Sequence, residues 1–71
     1  MNFNTILRDK LANKLKENLK ISNIIIEVTD KEVSLKGIVA SYEIKDEIEQ
    51  LIISCSEVQA VNNELAIFNE N

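Results

Sequence analysis

Ile24-Ile-Ile-Glu-Val-Thr-Asp-Lys-Glu-Val-Ser-Leu-Lys-Gly-Ile-Val39 is the stretch that decides the fold. It contains two β-rich runs, 24–29 and 33–39, and Asp30-Lys31 between them is a natural two-residue hairpin turn. Pairing Thr29 with Glu32 sets Val28 opposite Val33, Ile26 opposite Leu35 and Ile24 opposite Gly37. These residues share one face, which is apolar or small throughout. The other face carries Glu27, Thr29, Ser34 and Lys36, with Ile25 as the exception. A slip of one residue would turn the charges inward, so the register is well specified. Lys31 is the weak point, because such turns favour glycine at φ > 0 and a lysine there costs roughly 1 kcal/mol.

Working outward, residues 5–19 read as a helix. Phe3, Leu7, Leu11, Leu15 and Leu19 recur every four residues and form an apolar stripe. Asn4 suits the N-cap, and Lys16 and Lys20 lie where the helix dipole favours cations. On the other side, Ser41 suits the N-cap of a second helix over about residues 42–55. Glu43, Asp46 and Glu47 fall in its first turns, and Ile44, Ile48, Leu51, Ile52 and Cys55 line its apolar face. Val61, Asn63, Leu65 and Ile67 alternate with Asn62, Glu64 and Ala66 as a third strand. The class is α+β with order αββαβ. A strand, helix, strand unit places strand three parallel to strand two, giving a three-stranded mixed sheet with both helices on one face.

All 71 residues fit a single domain, 1–71, without a linker or repeat. A chain this short buries only about 60% of its unfolded surface and needs a staple, an oligomer or dense apolar packing. One cysteine, Cys55, precludes an intrachain disulfide, and the absence of histidine removes the usual metal ligand and proton shuttle. The net charge is −4, divided unevenly. Residues 1–36 hold seven basic and five acidic side chains, whereas residues 37–71 hold one basic and seven acidic. An acidic chain without a basic, aromatic-studded patch is a poor nucleic-acid binder. No apolar run approaches the roughly 20 residues of a membrane span, and Met1-Asn2-Phe3-Asn4 leads to Arg8, Asp9 and Lys10 without a signal core. The chain as written is expected in the cytoplasm, or in the periplasm or cell envelope if it is a processed fragment.

The ordered set of features resembles the BON domain, a small bacterial module. The matching pieces are Leu7, Leu11 and Leu15, then Ile26-Glu27-Val28, Val33-Ser34-Leu35-Lys36-Gly37-Ile38-Val39 and an acidic helix. Last comes Val58-Gln59-Ala60-Val61-Asn62-Asn63-Glu64-Leu65-Ala66-Ile67, similar to the family's V-x-x-V-x-N-x-L-x-V ending. Lys31 and Glu57 stand where the family commonly has glycine. The resemblance implies an αββαβ fold and a non-catalytic role without a cofactor. It further implies attachment to phospholipid membranes or binding of a small ligand, since one relative paired with a LysM domain binds potassium.

Arg8, Lys10, Lys14, Lys16 and Lys20 are the candidate lipid or ligand contacts, although Asp9 and Glu17 interrupt them. Gly37 and Asn63 read as structural, the glycine for want of space under a helix and the asparagine to tie a loop or helix end. Cys55 has no histidine, lysine or arginine nearby in sequence to activate it and falls on the apolar helix face, so it reads as core. Glu43, Asp46, Glu47 and Glu49 read as a solvated helix face, since calcium sites gather their oxygens on a loop. The RNA-binding KH module has a similar topology but needs a GxxG clamp, and one glycine excludes it. Enzyme chemistry has no histidine, activated nucleophile or phosphate-binding loop to draw on. Two functions follow: a binding module for an anionic membrane surface, small ligand or ion, or an assembly module forming homo-oligomers through a sheet edge or the outer sheet face, where Ile25, Ile38 and Phe68 add apolar surface.

Overall fold

A computed structural model describes residues 2–68. The chain runs α1 (Phe3–Leu19), β1 (Ile25–Thr29), β2 (Glu32–Lys36), β3 (Ile38–Val39), α2 (Tyr42–Ile53), β4 (Ala60–Asn63) and β5 (Ala66–Ile67). β1 pairs antiparallel with β2 in the expected register, Thr29 with Glu32, Val28 with Val33 and Ile26 with Leu35. β4 pairs parallel with β2 on its other side, so the mixed sheet has order β1-β2-β4. Asp30 and Lys31 close the hairpin with φ of 48° and 70°. Both values are positive, as a turn that follows the strand twist requires.

The strands expected over 33–39 and 61–67 each break once. Gly37 divides β2 from β3, and Glu64-Leu65 divides β4 from β5. The register does not change across the break: Glu32 pairs with Ala60 and Ile38 with Ala66, an offset of 28 in each case (60 − 32 and 66 − 38). Backbone hydrogen bonds carry the ladder through, from Glu64 N–H to Leu35 O, Ala66 N–H to Gly37 O and Phe68 N–H to Val39 O, each 2.9 Å. The two sheets are therefore one parallel ribbon with a kink.

The glycine is required at that kink for two reasons. Its φ of 144° lies where residues with a Cβ are strained, and a Cβ there would sit 3.2 Å from Ile24 Cδ1 and 3.4 Å from the Asn23 carbonyl oxygen. The crowding comes from Ile24, the residue the sequence set opposite Gly37, and from the Asn23 backbone, and no helix atom is among the nearest neighbours.

Helix α1 starts earlier than the spacing predicts. Asn2, not Asn4, is the N-cap, and its Oδ1 accepts the Thr5 N–H at 2.9 Å. Lys20 ends the helix in the left-handed region, and its N–H reaches the Leu15 carbonyl. Leu7, Leu11 and Leu15 are fully buried, whereas Phe3, at the head of the stripe, stays half exposed. Ser41 caps α2 as expected through the Ile44 N–H. That helix ends at Ile53, so Cys55 sits in the turn beyond it, still buried. Leu7, Leu11, Leu15, Ile48 and Ile52 close over Ile26, Val33 and Leu35 to form the core. Both helices cover one face of the sheet, and each fully buried aliphatic side chain contributes about 1.5–3 kcal/mol.

Candidate functional site

The face of the sheet away from the helices is uncovered. Its side chains come from alternate positions of β1, β2 and β4. Near the hairpin turn they are mostly polar: Glu27, Thr29, Glu32, Ser34 and Asn62, with Ala60, line a shallow groove of about 370 Å³. Toward the kink, Lys36 Nζ lies 3.1 Å from Glu27 Oε1. This bond, with the nearby charges of Glu27 and Glu64, raises the Lys36 pKa above the ordinary lysine value. At Lys36, whose cross-strand partner is Ile25, and beyond it the same face turns apolar. Ile25, Ile38 and Phe68 are 60%, 60% and 62% exposed, and alternation along β3 and β5 puts Ile38, Ala66 and Phe68 on one side.

The basic residues of α1 are not gathered on one surface. Arg8 is spent on its neighbour Asp9 at 3.3 Å and borders the edge of β1. Lys10 points the other way and donates to Glu57 Oε1 at 2.7 Å. Lys14 lies on that same flank and is half buried. Lys16 and Lys20 project from the back of the helix into a groove shared with Asn13, Glu17 and Ser22.

Glu57 carries a linkage that spacing did not reveal. Its Oε1 accepts both Lys10 and the Cys55 thiol, the latter at 3.2 Å. The hydrogen bond from Lys10, then that from Cys55, holds the Glu57 carboxyl below the ordinary carboxylate range, and the same ion pair raises Lys10. The glutamate thus joins α1 to the turn after α2. A carboxylate 47 residues from its lysine leaves no mark in sequence.

Asn63 joins α2 to the kink. Its Nδ2 donates to the Lys45 carbonyl and to Glu49 Oε1, both at 3.1 Å, and its Oδ1 accepts the Leu65 N–H at 3.2 Å. Asn63 pairs with Leu35, two residues before Gly37 on the adjacent strand, so the two flank the bend, one permitting it and the other fixing it. On α2, Glu43, Asp46 and Glu47 project into solvent.

Residues 4–68 match the BON domain, and this chain belongs to that family. No curated protein matches it closely enough to count as a relative. Among solved structures, it is similar to CdsD, a structural protein of the type III secretion system of Chlamydia trachomatis. That likeness has a TM-score of 0.84 at 17% identity, over 96% of this chain and 33% of the other. A structure of the C-terminal domain of CdsD gives a TM-score of 0.77 at 18% identity, over 92% and 33%. At such identity the likeness is one of fold, and this chain spans about a third of the chains it resembles.

Proposed function

We propose that this chain is a non-catalytic assembly module that docks onto a second copy of itself through the open face of its sheet. The observation that carries this reading is the exposure of Ile25, Ile38 and Phe68 on a face no helix covers. Large apolar side chains gain about 1.5–3 kcal/mol each when withdrawn fully from water. In the monomer these three forgo it. Their clustering at one end of a polar-rimmed face is the pattern of an interaction patch. Support of a general kind comes from the fold likeness to a structural protein of a multi-component secretion system.

A catalytic reading has less to draw on, since the one thiol is buried, Glu43, Asp46 and Glu47 of α2 are solvated, and Glu49 is tied to Asn63. The membrane and ion readings implied by the family likeness are weaker than the assembly reading. A membrane needs its cations on one surface, and the five basic residues of α1 point in three directions. The acids of α2 lie along a helix instead of converging on a point.

The test is sedimentation from about 10 µM to about 1 mM, the range in which small patches associate. At about 0.5 M salt, where contacts between exposed charges are screened, wild type should populate a dimer, and Ile38→Ser with Phe68→Ser should be monomeric with an unchanged unfolding midpoint. A strict monomer at the top concentration, or a double variant that still self-associates as wild type does, would refute the proposal.

A further inference from the structure

The helix layer, on the opposite side of the molecule, holds a second set of exposed groups, charged ones that among the described residues form no ion pair between the helices. α1 with its cap carries Arg8, Lys10, Lys14, Lys16 and Lys20 against two acids, a net of +3, and α2 carries Lys45 against four acids, a net of −3. The helices lie side by side, yet among the described residues no salt bridge joins them. Lys16 and Lys20 on one, and Glu43, Asp46 and Glu47 on the other, point outward instead of across. Ile6, Tyr42 and Ile53 are exposed on the same two helices.

The helices run in opposite directions. Asn2, Phe3 and Asn4 border Asp30, Lys31 and Gln59, so α1 begins at the hairpin end of the sheet. α2 begins at the kink end, directly after β3, and the turn that follows it meets Lys10. Lys16 and Lys20 therefore share an end with Glu43, Asp46 and Glu47, and Ile6 shares the other end with Ile53.

We infer that the helix layer is a self-docking surface for a second copy of this chain, related by a two-fold axis parallel to the helices. That axis preserves helix direction and height. It lays the α1 of each copy on the α2 of the other, with Lys16 and Lys20 facing Glu43, Asp46 and Glu47, and Ile6 near Ile53. A two-fold perpendicular to the helices would set α1 on α1 and α2 on α2, with like charges opposed. Charge complementarity thus selects the axis, and a self-complementary two-fold contact closes without further copies. Where the open sheet face also self-docks, which rests on the function proposed above, each copy meets two others on opposite sides and the copies form rows.

Exposed ion pairs are individually weak and screened by salt. The contact should accordingly weaken about tenfold or more between roughly 50 mM and 500 mM salt. The experiment is done with Ile38→Ser and Phe68→Ser present throughout, so that the sheet contact is disabled. In that background the protein should dimerise at low salt by sedimentation. Adding K16E/K20E, or instead adding D46K/E47K, should leave only monomer. Mixing the two variants in equal amounts should restore a dimer containing one of each, because both halves of the interface then pair opposite charges. Should D46K/E47K fold poorly, since lysines oppose the dipole at a helix start, D46N/E47Q should show weaker dimerisation with a flattened salt dependence.

A low-salt monomer at about 1 mM, a range in which weak contacts register, would overturn the inference, and so would a mixture that fails to pair. So would wild-type binding to vesicles of anionic phospholipid that K16E/K20E abolishes without any dimer, which would give this surface to a membrane. If the mixture pairs but Ile38→Ser with Phe68→Ser leaves wild-type association unchanged, the sheet-face reading falls and the helix contact stands alone.

Discussion

Val33 and Leu35 face the helices and are closed to water, while Glu32, Ser34 and Lys36 alternate with them on the same strand and face outward. Five consecutive residues thus sample two environments. On the covered side every apolar group has a partner: Leu35 meets the stripe of Leu7, Leu11 and Leu15 and the ridge of Ile48 and Ile52. On the open side Glu27 pairs with Lys36 and Asn62 with Glu64, whereas Ile25, Ile38 and Phe68 remain 60% or more exposed among the described residues. Stability explains the first set. It does not explain the second, and that asymmetry points to a contact outside the monomer.

The sharpest way to break this contrast is to truncate one residue on each side. Leu35→Ala should destabilise by about 3 kcal/mol, the usual loss for a fully buried leucine. Ile38→Ala should change stability by less than about 0.5 kcal/mol. Urea titration of the two variants measures both, and equal losses would dissolve the distinction between the faces.

The kink that presents Ile38 and Phe68 can be probed separately. Gly37→Ala should cost about 1–3 kcal/mol, for the unfavourable φ and the approach to Ile24. Asn63→Ala should cost about 1–2 kcal/mol, since it removes the amide that ties α2 to the bend and leaves the Leu65 N–H without its acceptor. Thermal unfolding monitored by circular dichroism separates these from the negligible change expected at Ile38.

The smallest effect concerns Glu57 and pH. Its carboxyl is lowered by Lys10 and Cys55, so its contribution is present above the unfolded-state value of about 4.3 and is lost as pH falls through the folded value. Lys10 is raised, so its share is present below about 10.4 and is lost as pH rises through its own folded value. The stability difference between wild type and Glu57→Gln should be flat from about pH 5 to pH 10 and shrink outside that window. A difference that keeps growing below pH 4 would contradict the assignment.

Sequence made the covered side legible because its information is local. Alternation in 24–39 sets the register, the four-residue leucine spacing sets the buried stripe, and Ser41 marks a helix start. The family likeness rests on the same local pieces. The kink is not legible in the sequence: 33–39 and 61–67 each read as one unbroken strand, Gly37 stands out only as the lone glycine, and the matching break at Glu64-Leu65 depends on a side chain, Asn63, reaching α2 across the fold. Asn2 displaced Asn4 as cap because both residues can do that job and packing decides between them. The candidate site was the least legible. Five basic residues at close sequence spacing look like a patch, yet helical rotation sends Arg8, Lys10 and Lys16 to different sides, and Glu57, distant in sequence, takes Lys10.

The central claim is that the open sheet face is where this molecule meets a second copy, and a dilution series of amide NMR spectra tests it residue by residue. At about 0.5 M salt, where ionic contacts between exposed charges are screened, raising the concentration from about 20 µM to about 1 mM should span a weak association. The account predicts shifts confined to residues 25–27, 36–38 and 66–68, with α1 and α2 unmoved. Spectra that do not change with concentration, or shifts that fall on the helices and spare those three segments, would contradict it.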